Sequence, residues 1–139
     1  MAFDDYKQYL EHAETFKFKR VRPIFAINSI KIVHASRVRP GHYIWIDPPW
    51  TVYKDSKPFR VSSSYPDPHK PVHWHTESMW FKSVRPFYLS DLRFLSITYR
   101  THYGTRFRLS NGWQINAFDS LGDDVEEDDW YVDWYASTT

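Results

Sequence analysis

Thr105-Arg106-Phe107-Arg108-Leu109-Ser110-Asn111-Gly112-Trp113-Gln114-Ile115-Asn116-Ala117-Phe118 reads as two strands and the turn between them. In an extended chain side chains alternate between faces, so Phe107 meets the core while Arg106 and Arg108 share the solvent side. Asn111-Gly112 is a strong hairpin signal, because both residues tolerate the positive φ that a tight hairpin turn needs. The second strand follows at 112–118.

Outward from this hairpin the same texture recurs. Short runs rich in Val, Ile, Tyr, Phe and Trp are separated by Pro, Gly, Ser and Asp. Strands are expected at 23–27, 30–35, 42–46, 51–54, 59–63, 72–75, 79–82, 96–102 and 130–135, besides 105–109 and 112–118. A helical turn is expected at 89–94. Before Lys17 the pattern differs. Tyr6, Leu10 and Phe16, with Ala13 between, recur at helical spacing with acids in the first turn, which predicts a helix over 4–16. The expected fold is mainly β: a small barrel or sandwich of short antiparallel strands with one N-terminal α-helix.

Composition narrows the function classes. At 139 residues the chain suits one domain, and an aromatic fraction of 19% makes large rings the main source of buried area. With no cysteine, disulfides and thiolate metal sites are excluded, which favours a reducing compartment. No basic start precedes an apolar run, and no apolar run approaches the roughly 18 residues that span a bilayer, so no membrane partner is expected. The expected location is cytoplasmic, or the host cytoplasm or virion for a viral protein.

Charge is segregated behind a net +1. All 18 Lys and Arg stand at or before Arg108, against nine acids before position 118, so residues 1–117 carry +9. Residues 118–139 hold the other eight acids and carry −8. The chain therefore divides into a helix plus basic β-rich body, 1–117, and an acidic aromatic C-terminal segment, 118–139, expected to pack on the same domain or on a partner. In that segment Trp130, Tyr131, Asp133, Trp134 and Tyr135 are the candidate partner-binding residues. Three readings stand open for it. It completes the domain's own sheet, it docks on a partner by strand addition, or its acids cover the polyanion site, as in single-stranded DNA-binding proteins with acidic tails.

The basic body suggests nucleic acid. Lys17-Phe18-Lys19-Arg20-Val21-Arg22 and the Arg106–Arg108 run interleave cations with rings, the pattern by which small β barrels grip single strands. The candidate residues are Arg20, Arg22, Arg37, Arg39, Arg100, Arg106 and Arg108. Three Val-Arg-Pro copies, at Val21, Val38 and Val84, have no fixed period. They read either as edge protection, with Pro and charge blunting a strand, or as a shared phosphate contact.

Two constellations point to catalysis. Asp47-Pro48-Pro49-Trp50 follows a strand and resembles the catalytic tetrapeptide of N6-adenine methyltransferases. That resemblance implies that Asp47 and a proline carbonyl hold an adenine amino group while Trp50 stacks on the base. The chain departs from the family in lacking a Gly-rich cofactor turn and alternating strands and helices. His73-Trp74-His75-Thr76-Glu77, read as a strand, puts His73, His75 and Glu77 on one face, a donor set for Zn, Fe or Mn. His-x-His resembles the start of a cupin metal site, although Glu77 comes earlier than in that family. No nucleophile elbow, phosphate-loop Lys or thiol nucleophile stands in the chain. The leading expectation is a non-enzymatic binding protein, plausibly a viral or phage accessory or assembly protein, holding a protein partner or assembling with itself. A nucleic-acid-binding barrel with an acidic regulatory tail is the alternative, and a metal-dependent enzyme the third. No cofactor is expected beyond a divalent transition metal in that last case.

Overall fold

The computed structural model describes residues 11, 13–35, 43–66, 73–100, 104–117 and 134–137. They form nine strands: β1 Arg20–Ala26, β2 Ser29–His34, β3 Tyr43–Ile46, β4 Trp50–Lys54, β5 Lys57–Val61, β6 Leu92–Arg100, β7 Gly104–Leu109, β8 Trp113–Ala117 and β9 Trp134–Ser137. Two helices, α1 His73–Ser83 and α2 Arg85–Tyr88, lie between β5 and β6. The strands make one sheet in the order β5-β4-β8-β7-β6-β1-β2-β3-β9, and every ladder in it is antiparallel. The fold is mainly β, as the alternation implies. The sheet is not closed, so the barrel form of that expectation is not met.

The sheet is nevertheless curled. β4 and β3 stand six strand spacings apart, about 29 Å in a flat sheet. The link between them, residues 47–49, is three residues long and reaches about 14 Å at most. The two ends must therefore bend toward each other, and the concave side becomes the core. Val21, Ile30, Ile32, Ile44 and Ile46 enter it from one end, and Val52, Phe107, Leu109, Ile115 and Trp113 from the other. Trp50, 1% exposed, sits at the link and donates its indole N–H to Asn28 O in the β1–β2 turn at 2.7 Å. Phe87 of α2 bridges the halves, 6.1 Å from Phe25 on β1 and 5.0 Å from Trp113 on β8, measured between ring centres.

The opening hairpin forms as read. Asn111 and Gly112 have φ of +61° and +80°, and the Trp113 N–H donates to Ser110 O. Glycine at 112 is favoured by its positive φ and by the Asp55 side chain, which a Cβ there would meet; the Gly112 carbonyl accepts from the Asp55 N–H at 2.8 Å.

Three expectations need correction. The strands expected at 72–75 and 79–82 are instead helical from residue 73 on, within α1, and residue 72 lies outside the described residues. Trp80 is the side chain that α1 buries, and Val84 and Phe87 follow it in the turn to α2 and in α2 itself. The turn expected at 89–94 comes earlier, as α2, where Pro86 in the first turn suits a helix start, and Leu92 already belongs to β6. Of the helix expected over 4–16, Glu11, Ala13 and Glu14 are helical, and residues 4–10 and 12 lie outside the described residues.

Candidate nucleic-acid interface

The nine strands contain Arg20, Arg22, Lys31, Lys54, Lys57, Arg60, Arg93, Arg100, Arg106 and Arg108, and no Asp or Glu. Alternation turns those of β7, β1 and β2 outward, whereas Lys54 and Arg60 stand opposite buried Trp113 and Val52 on the other side of the sheet. On β7, Thr105, Phe107 and Leu109 are buried while Arg106 and Arg108 are exposed. On β1, Val21 and Pro23 are buried while Arg20, Arg22 and Ile24 are exposed. On β2, Ile30 and Ile32 are buried between positions from which Lys31 and Val33 emerge.

Register makes these cations neighbours on the convex side. Arg20 stands directly opposite Arg93 on β6, which puts their Cβ atoms about 5 Å apart. Arg108 and Arg106 face Ser96 and Thr98 on β6, and Gln114 and Asn116 on β8. Lys31 faces Ile24 on one side and Trp45 on the other, with its Nζ 4.6 Å from the Tyr43 ring centre. Basic groups therefore occupy β7, β6, β1 and β2 in succession, a band about 14 Å across. Hydrogen-bonding Ser, Thr, Asn and Gln side chains flank it.

Acids touch this band at two points. Asp91 pairs with Arg20 at 3.0 Å, but both side chains are more than half exposed, 59% and 73%. Such a surface pair contributes little and exchanges readily for another anion. Asp47, partly buried at the end of β3, accepts from Ser29 Oγ at 2.7 Å and from Trp45 Nε1 at 2.6 Å, so it lies at the border of the band beside Trp45.

A cleft opens beside the band. β1 pairs with β6 only at Arg20 and Val21, although β1 continues to Ala26. Pro23 follows with no N–H to extend the ladder, and the chain before Leu92 coils into α2. A recess of about 660 Å³ remains between β1 and the 88–91 segment. Phe25, Phe81 and Tyr88 wall it, Ile24 and Leu89 stand at its mouth, and Arg20 and Arg22 line its basic side.

The candidate residues fare unequally. Arg20, Arg22, Arg106 and Arg108 lie on the exposed band. Arg100 ends β6 opposite Gly104, and Arg37 and Arg39 lie outside the described residues. Sequence reading missed Arg93, Lys31, Tyr43 and Trp45; the available signal was the Ile-x-Ile alternation on β2 and β3. The first Val-Arg-Pro copy ends a ladder at Pro23, and the third opens α2 at Pro86. The two copies therefore share no role, and the second lies outside the described residues.

The metal reading loses the geometry on which it rested. In a helix, positions 73 and 77 fall on one side and 75 about 200° away. Glu77 instead accepts a hydrogen bond from the Tyr65 hydroxyl. Burial first, then that carboxylate, pushes the Tyr65 phenol above its ordinary value. Among the described residues no three His, Asp or Glu side chains gather as a metal site would need. The methyltransferase-like tetrapeptide is structural where it is described: Asp47 braces Ser29 and Trp45, and Trp50 is buried.

Of the acidic segment the structure describes its end: Trp134–Ser137 is β9 and pairs with β3, Trp134 opposite Ile46 and Tyr135 opposite Trp45. Ala117, the last described residue before the segment, pairs with Trp50. Trp130, Tyr131 and Asp133 lie outside the described residues. Among the described residues no helix is long and apolar enough to cross a membrane. Compared with known proteins, the chain matches no family model, no curated protein and no solved structure.

Proposed function

We propose that this protein is a non-enzymatic binding protein that holds nucleic acid across the convex face of its sheet. The observation that carries this reading is the complete exclusion of acids from strands that hold ten basic residues. Over residues 1–117, where 18 bases stand against nine acids, placement without regard to sign would still put some acids in the strands. A regular array of cations at strand spacing suits a regular array of phosphates, and their contact releases condensed counterions. The Ser, Thr, Asn and Gln side chains beside Arg106 and Arg108 add neutral donors for phosphate and sugar oxygens.

The test is a titration of a fluorescent oligonucleotide with wild type and with the triple variant Arg93→Gln, Arg106→Gln, Arg108→Gln. All three side chains are exposed, so folding is expected to survive. The variant is expected to bind at least tenfold more weakly at low salt. Equal binding by the two proteins contradicts the proposal.

A protein partner is a second reading, and the two sheet edges favour it. β5 is blunted by Lys57, Pro58 and Arg60, whereas β9, Trp-Tyr-Ala-Ser, carries neither charge nor proline. An edge of that kind accepts a further strand from another chain or a second copy, as an assembly protein would use it. Light scattering across a concentration series checks it: a mass that stays at one chain at all concentrations rules out self-assembly through β9.

A further inference from the structure

Phosphate contact alone leaves the apolar part of the cleft beside β1 unused. Phe25, Phe81, Tyr88 and Leu89 line it together with Arg20, Arg22, Ser90 and Asp91, and it opens onto the cationic band. We propose that it receives unpaired bases, so that the ligand is single-stranded nucleic acid and the duplex binds less well. The inference rests on the nucleic-acid reading above and sharpens it.

Three observations carry it. The recess has about 660 Å³ of room, in the range of ligand pockets, and is open to solvent. Its mouth holds two apolar side chains that the fold does not bury, Leu89 at 72% and Ile24 at 43% exposure, above half-buried Phe25, Phe81 and Tyr88. Its charge is net positive: Arg20 and Arg22 line it against one acid, Asp91, whose exposed pair with Arg20 exchanges readily for a phosphate. A ligand that fits must present phosphates and flat apolar surface within a few ångströms of each other. A nucleotide strand with splayed bases does so at every step. A duplex offers the same phosphates but keeps its bases stacked inside, so it can use the band and not the recess. An anionic polymer without bases can likewise use only the band.

The competing occupant, an extended peptide added to β1, is disfavoured by Pro23. That residue offers no N–H to an incoming strand at the point where the β6 ladder has just ended.

The experiment compares single- and double-stranded oligonucleotides of equal length at one salt concentration, using wild type, Leu89→Ser, and the double variant Ile24→Ser, Leu89→Ser. Leu89 is largely in water, so the single variant is expected to fold even where the double variant does not. Neither changes charge. Wild type is expected to bind the single strand about tenfold more tightly than the duplex, the gain typical of one stacked base. Leu89→Ser is expected to erode that preference and the double variant to abolish it, with duplex affinity and salt dependence unchanged. Equal affinity for both strands, or a single-strand preference that survives the substitutions, overturns the cleft proposal while leaving the cationic band standing. Absence of binding to either oligonucleotide at low salt overturns the nucleic-acid reading itself.

Discussion

The β7–β8 and β1–β2 hairpins carry the same charge pattern and meet opposite fates. β7 is paired along its length on both sides, to β6 and β8, and its turn uses Asn111 and Gly112, which suit positive φ. β1 loses its β6 neighbour after Val21, runs through a proline, and ends in a turn where Ile27, a β-branched residue, sits at φ +55° and 67% exposed. One hairpin obeys every local rule and offers a flat row of arginines. The other breaks several and leaves a cleft. Departures from local rules tend to collect where a protein meets its ligand, and the contrast assigns phosphate contact to both hairpins but base contact to β1 alone.

The largest expected effect concerns what joins the two hairpins. Phe87 touches Phe25 of one and Trp113 of the other, so Phe87→Ala is expected to cost about 3–5 kcal/mol. Denaturant unfolding should show one transition at lower midpoint, followed alike by Trp emission and far-ultraviolet circular dichroism. Two separated transitions would mean that the halves fold independently and that the bridge does not couple them.

The turns give a smaller, signed pair. Gly112→Ala forces a side chain into the left-handed region and against Asp55, and is expected to destabilise by about 1–2 kcal/mol. Ile27→Asn relieves the same kind of strain at the other tip and is expected to stabilise by about 1 kcal/mol. Thermal melts of the two variants should move in opposite directions. Movement in the same direction would erase the distinction between the regular and the irregular hairpin.

The smallest effect is a pH dependence outside both hairpins. Tyr65 is buried beside Glu77, and its phenol titrates above the ordinary 10. A raised folded pKa favours the folded state fully below the unfolded value, and that contribution is lost as pH rises from 10 through the folded value. Stability should therefore fall on the alkaline side, and Tyr65→Phe should flatten that fall. An unchanged alkaline slope in the variant would remove Tyr65 as its cause.

Much of the fold was legible because strands alternate and their turns have chemistry. Val21, Phe107 and Ile115 face inward where period two puts them, and Asn111-Gly112 turns where it stands. The helix α1 was not legible by that rule. His73-Trp74-His75 alternates like a strand, and among the described side chains of α1 only Trp80 is buried, so no apolar period marks the helix. The one-face argument for His73, His75 and Glu77 assumed period two, and the stretch is helical instead. Arg20, Arg22, Arg106 and Arg108 could be placed on a solvent face from local alternation. Arg93 could not, because its role comes from standing opposite Arg20, 73 residues away. The cleft was equally hidden, since it is made by a ladder that stops. The place of β9 at the sheet edge depends on a distant pairing, Trp134 with Ile46.

The central claim is that the acid-free sheet face binds nucleic acid by its charge. The most direct measurement is the affinity for a single-stranded oligonucleotide across a salt series, plotted as log K against log salt. Contact of six phosphates by Arg20, Arg22, Lys31, Arg93, Arg106 and Arg108 gives an expected slope of about −4. A slope near zero, or no binding at the lowest salt, would contradict the claim.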